Sequence, residues 1–199
     1  MYAKRLTALG IGFLALWSLR TQFDSLDAGI DWREKLWLMA GFFTILTNLG
    51  LAAAMLAIAK GWQISASQAA GLLLSILVVG LIYHLLLADL WAPQGLAWWA
   101  DQGLHSGTPI AMLLWWITFA DKDIGPRDVP KWLIWPLAYA GYTITRGMIT
   151  GFWPYPFLNA GTLGLPHLIL NLTALAALFG ILGLALVWLA SILRRLLGT

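Results

Sequence analysis

Residues 69–90 read AAGLLLSILVVGLIYHLLLADL, a run in which His84 and Asp89 are the only His, Asp, Glu, Lys or Arg. A helix rises 1.5 Å per residue, so about 20 mostly apolar residues cross the roughly 30 Å hydrocarbon layer of a bilayer. Inside that layer every backbone N–H and C=O must find its partner within the protein, and a single run can do this only as a helix. The stretch therefore predicts a membrane-spanning helix. Outward from it, five more apolar runs lie at 6–19, 36–59, 97–120, 132–152 and 164–193. The first is the shortest, with Arg5 and Arg20 placed to snorkel at its ends. The opening MYAKR before an apolar core also has the shape of a secretory signal, but no small-residue cleavage site follows in RTQFDSLD. It is read as a helix of the bundle. The pattern predicts an all-α polytopic membrane protein, a six-transmembrane-helix bundle forming one domain over residues 1–199.

Composition agrees. Of 199 residues, 60% are hydrophobic and 11% charged, against about 25% charged in an ordinary soluble domain. Many of the 13 Trp sit at the ends of apolar runs, where an indole anchors at the headgroup level. The net charge of +3 does not imply a nucleic-acid partner, because the basic residues are scattered between apolar stretches. With no Cys, disulfides, thiolate metal sites and cysteine nucleophiles are excluded.

The basic residues set an expected orientation. With six crossings, Lys4, Arg5, Lys60, Lys122, Arg127, Lys131, Arg194 and Arg195 fall on one side, while Arg20, Arg33 and Lys35 fall on the other beside four acids. Arg146 lies within a helix. The positive-inside rule then places both termini in the cytoplasm, with a bacterial inner membrane the expected location.

Function is sought in polar residues that lipid should exclude, since such groups usually face the bundle interior. The candidates are Thr44, Thr47 and Asn48 in the second run, His84 in the third, His105 in the fourth, Arg146 in the fifth, and His167 and Asn171 in the sixth. Counted from the run ends, Thr44 and His105 fall at about 12 Å depth and His84, Arg146 and Asn171 at about 9–10 Å, one layer of the outer leaflet. Thr44 and Asn48, four apart, share a helix face. Asp89 and Asp101 read as interfacial. Each candidate also has a structural reading: an intramembrane Thr bonds its own i−4 carbonyl, a His bonds a neighbouring helix, and an Arg snorkels.

Three segments resemble a known family. GFWPYPFL (Gly151 to Leu158) is similar to the signature following the fifth helix in the androgen-induced-gene family of multi-pass membrane proteins. GLHSGTPI (Gly103 to Ile110) resembles that family's histidine segment, and FFTIL (Phe42 to Leu46) its threonine segment. The resemblance implies an intramembrane hydrolase of fatty acid esters of hydroxy fatty acids, with Thr44 as nucleophile and His105 as general base. Thr47 also fits, one turn along. The loops are shorter than in the animal members, as for a bacterial relative.

The chemistry is consistent with that expectation. A threonine hydroxyl becomes a nucleophile when a base takes its proton, and a histidine near pKa 6.5 can take it and return it to the leaving alcohol. No nearby carboxylate is assigned to His105, so a dyad is expected. Asn48 or His84 would donate to the oxyanion, Tyr155 in the aromatic loop would cap the site, and Arg146 and Asn171 complete the expected substrate-binding set. Arg146 would clamp a ligand carboxylate or lipid phosphate. No cofactor is expected; the partners are membrane lipids and a lipid-like substrate. Two other classes stand beside this one. Three His could ligate zinc, or two a haem. Alternatively Arg146, on a helix interrupted by Pro136 and three glycines, could serve an anion transporter or lipid binder.

Overall fold

The computed structural model describes residues 2–90 and 92–197, and among them the structure is helical with no strand. The helices are α1 (Tyr2–Ser25), α2 (Trp32–Met39), α3 (Phe43–Ala59), α4 (Ala66–Ile82), α5 (Leu96–Gln102), α6 (Thr108–Phe119), α7 (Val129–Trp132), α8 (Ile134–Thr150) and α9 (Ala160–Leu197). A turn of π-helix, Tyr83–Leu87, prolongs α4, and another, Gly103–Gly107, joins α5 to α6.

Two helical stretches, Ala66–Leu90 and Ala160–Leu196, are long and apolar enough to cross a membrane. A third qualifies if α2 and α3 are taken as one broken span. The other expected runs fall short for local reasons. α1 carries Lys4, Arg5, Arg20 and Asp24, the 97–120 run is made polar by Asp101, Gln102, His105, Ser106 and Thr108, and α8 has only 17 residues. Lipid contact is nonetheless written on the surface. Leu6, Phe13, Leu49, Ile110, Leu137, Ile149, Ile169 and Leu184 are all exposed, on five different helices. Water would not tolerate so much apolar surface.

The 36–59 run is not one rod. α2 and α3 meet at 94°, so Leu36 to Met39 are out of line with α3 and Thr44 sits in the first turn of α3. The depth counted from Leu36 is therefore corrected: Thr44 lies at a helix N-terminus. Where the helix breaks, its carbonyls lose their i+4 donors and must find others. They do. Leu36 keeps its i+4 donor, Ala40, while the carbonyls of Leu38 and Met39 take the N–H groups of Gly41 and Phe42, three residues on. Those of Trp37, Ala40 and Gly41 take side chains of α8: Arg146 at 2.6 Å, Tyr142 at 3.1 Å and Tyr139 at 2.7 Å. The close seat needs Gly41, since a Cβ there would stand 2.6 Å from Phe152 and 2.8 Å from the Arg146 guanidinium.

The main core fills the opposite half of the bundle, where Leu51, Met55, Leu73, Leu74, Ile76, Met112 and Trp116 are fully enclosed between α3, α4 and α6. Phe179 and Leu186 of α9 pack against the same core. The start of α1 and the last turns of α9 lie there: Trp115 Nε1 donates to the Lys4 carbonyl of α1, and Arg194 of α9 pairs with Asp123 between α6 and α7.

Candidate active site

Thr44 and His105 face one cavity of about 350 Å³ at the end where the helices break. Its walls are mostly apolar, and Pro154, Tyr155 and Pro156 of the α8–α9 loop close over it. The loop reaches inward because Tyr155 is only 7% exposed, its ring stacked on Phe157 at 5.2 Å and edge-on to Phe42 at 6.0 Å.

His105 is held by its surroundings. Pro109 has no N–H for the His105 carbonyl and its ring would clash with that oxygen in a regular helix. The chain widens into a π-turn instead, with Thr108 N–H bonded to the Gly103 carbonyl five residues back. Such turns recur at functional sites. The Leu104 carbonyl, displaced by the turn, accepts Asn48 Nδ2 at 3.3 Å and the Thr108 hydroxyl, also at 3.3 Å. The His105 carbonyl approaches α4, where a Cβ on Gly80 would stand 2.8 Å from it. The imidazole stacks on Tyr83, 3.8 Å between ring centroids.

Asp101, expected as an interfacial charge, is enclosed by protein: its side chain is 1% exposed, and its Oδ1 accepts from His105 Nδ1 at 3.1 Å. Oδ2 accepts from the Tyr83 hydroxyl at 2.8 Å and from Gln102 at 3.3 Å. A carboxylate on Nδ1 fixes the tautomer and leaves Nε2 as the ring nitrogen available to a reacting group. The expected dyad is corrected to a histidine carrying its own carboxylate. The signal was present: Asp101 and His105 are four apart, hence on one face. Nearness to a helix end concealed it.

The remaining candidates separate. Asn48 is fully buried, but its amide ties α3 to α6, donating to the Thr44 and Leu104 carbonyls while its Oδ1 takes the Thr108 hydroxyl at 2.6 Å. Thr47 faces a different cavity and accepts from Trp135 Nε1 at 3.0 Å. His84 is exposed and meets Ser106 at 3.0 Å. His167 is exposed and bonds the Leu163 carbonyl of its own helix, and Asn171 donates to the Phe157 carbonyl at 2.9 Å, steadying the loop. Among the described residues no three His, Cys, Asp or Glu side chains group so as to hold a metal ion.

Arg146 does not face the Thr44 cavity. Besides the Trp37 carbonyl it donates to the Tyr142 hydroxyl at 3.2 Å, and its guanidinium lies 4.0 Å from the Trp37 ring and 4.9 Å from Phe152. One carbonyl, one hydroxyl and two ring faces surround the charge where no carboxylate does, and Nε is left without a hydrogen-bond partner among the described residues. Its partner is the α2–α3 bend.

Tyr155 completes the site. Its hydroxyl lies at the first turn of α3, beside the Thr44 side chain and the backbone of Thr44 and Phe43. Burial pushes the phenol above its ordinary value, so it stays protonated. Thr44, Leu87 and Tyr155 also line a second, narrower apolar cavity between α3, α4, α8 and α9. The nucleophile candidate thus stands where two chambers meet. No family model matches the chain, and no curated protein or solved structure matches it.

Proposed function

We propose that this protein is a membrane-embedded hydrolase of lipid esters, with Thr44 as nucleophile, His105 as general base and Asp101 holding the base. One observation carries the reading: Thr44 and a histidine whose Nδ1 is fixed by a buried carboxylate line the same apolar cavity. The likeness of the three segments to the androgen-induced-gene family supports it independently.

In the proposed reaction Thr44 Oγ1 attacks the ester carbonyl carbon as its proton passes to His105 Nε2. The tetrahedral intermediate collapses, and the leaving alkoxide takes that proton as alcohol. Water then attacks the acyl-threonine, gives a proton to His105, and releases the acid while Thr44 recovers its hydrogen. Asp101 stabilises the imidazolium at both stages. The apolar walls exclude bulk water and strengthen each of these interactions.

The same reading sets the chain in a bacterial inner membrane with six crossings, both termini cytoplasmic and the cavity toward the outer leaflet. Its support is the eight-to-three division of Lys and Arg. α2, with Trp32, Leu36 and Trp37 exposed, then lies along the interface. Reporter fusions after Thr199 and within 121–131 are expected to read cytoplasmic and those near Asp27 and Asn159 external; an external C-terminus refutes the topology.

The catalytic pair is tested on purified protein with a p-nitrophenyl ester. Thr44→Ala and His105→Ala each lower kcat by at least about 10³-fold, and the double variant is little worse, because the pair acts as a unit. Thr47→Ala retains activity. Hydrolysis that survives Thr44→Ala ends the reading.

A further inference from the structure

A tetrahedral intermediate on Thr44 places a full charge on the former carbonyl oxygen, and in an apolar cavity that charge needs an aimed donor. The two groups first expected there are unsuited. Both Asn48 amide contacts go to carbonyls of α3 and the π-turn, and His84 is exposed against Ser106. Resting on the hydrolase reading, we propose that Tyr155 is the oxyanion donor, its ring fixed beside Thr44 where the two chambers meet and its O–H turned to the developing oxyanion.

Three features fit it to this role. Tyr155 and Thr44 line both chambers, so an ester carbonyl within reach of one lies within reach of the other. Thr44 sits in the first turn of the 17-residue α3, whose positive end favours a negative charge at that place. The ring is fixed between Phe42, Tyr139 and Phe157, so the donor needs little reorganisation when charge appears. The phenol keeps its proton throughout; it forms one hydrogen bond and no covalent bond.

The test uses the full chain in detergent micelles, p-nitrophenyl octanoate as substrate and octyl trifluoromethyl ketone as transition-state analogue. Tyr155→Phe is expected to lower kcat by about 10²–10³-fold with KM unchanged. It should weaken the ketone by the same factor as kcat/KM. A loss confined to KM, with ketone affinity intact, would mean that Tyr155 only shapes the chamber, and overturns the proposal. So does a wild-type kcat in Tyr155→Phe while Thr44→Ala is inactive, an outcome that leaves the hydrolase reading standing. Activity in Thr44→Ala overturns both. If Tyr155→Phe fails to fold, 3,5-difluorotyrosine at 155 keeps the shape and lowers the phenol pKa. The alkaline limb of kcat then moves to lower pH, and an unmoved limb refutes the role.

Discussion

The two ends of the bundle are built on different rules. At the end holding Trp116 the helices run regularly and interdigitate Leu, Met and Ile into a dry core. At the end holding Thr44 nearly every helix is broken. α2 and α3 meet at a sharp bend, α4 and α6 adjoin π-turns, and α9 kinks at Gly164, where φ is 70°. Each break frees backbone polar groups that regular helices would consume. In a membrane those groups must be satisfied by side chains, and so Arg146, Tyr139, Tyr142, Asn48 and Tyr155 gather where the helices fail. Irregular backbone buried inside protein is how a bilayer fold makes room for chemistry.

The comparison is sharpened most by Asp101→Asn. An amide cannot hold His105 in the same tautomer, so kcat should fall by about 10²–10⁴-fold while thermal unfolding in detergent shifts little. A loss of folding that matches the loss of rate would mean that Asp101 is merely a buried strut between Tyr83 and His105.

Next in size is the opposite end. Met112→Ala empties a fully enclosed position and should lower stability by about 2–5 kcal/mol with kcat per folded molecule unchanged. If kcat falls with it, the two ends are coupled and the division fails.

The smallest effect tests a polar residue at the broken end that faces no cavity. Arg146→Gln removes a charge-assisted bond to the Trp37 carbonyl and should cost about 1–3 kcal/mol of stability. Its rate should change equally for neutral esters and for esters bearing a free acid. Arg146→Lys should recover part, lacking the planar fork. A rise in KM for acid-bearing esters alone would restore the anion-clamp expectation and place Arg146 in the substrate site.

Helicity and membrane residence were legible in the sequence because both follow from runs of side-chain polarity. The Ala66–Leu90 and Ala160–Leu196 stretches need no tertiary context to exclude water. The concentration of polar groups toward one end was legible too, by counting residues from run ends. The count failed between Leu36 and Phe43, because hydropathy does not register a bend whose carbonyls are capped by another helix. Which polar groups meet was decided by the tertiary structure alone. Thr44 and Thr47 are one turn apart and chemically identical, yet helix rotation gives one to His105's cavity and the other to Trp135. Asp101 and His105 were readable as a pair only by their spacing, and it took burial to make the carboxylate a partner rather than a surface charge. Arg146 drew attention from sequence as a charge inside a helix, and the fold answered with the Trp37 backbone carbonyl, an acceptor of a kind that every residue carries and no sequence displays.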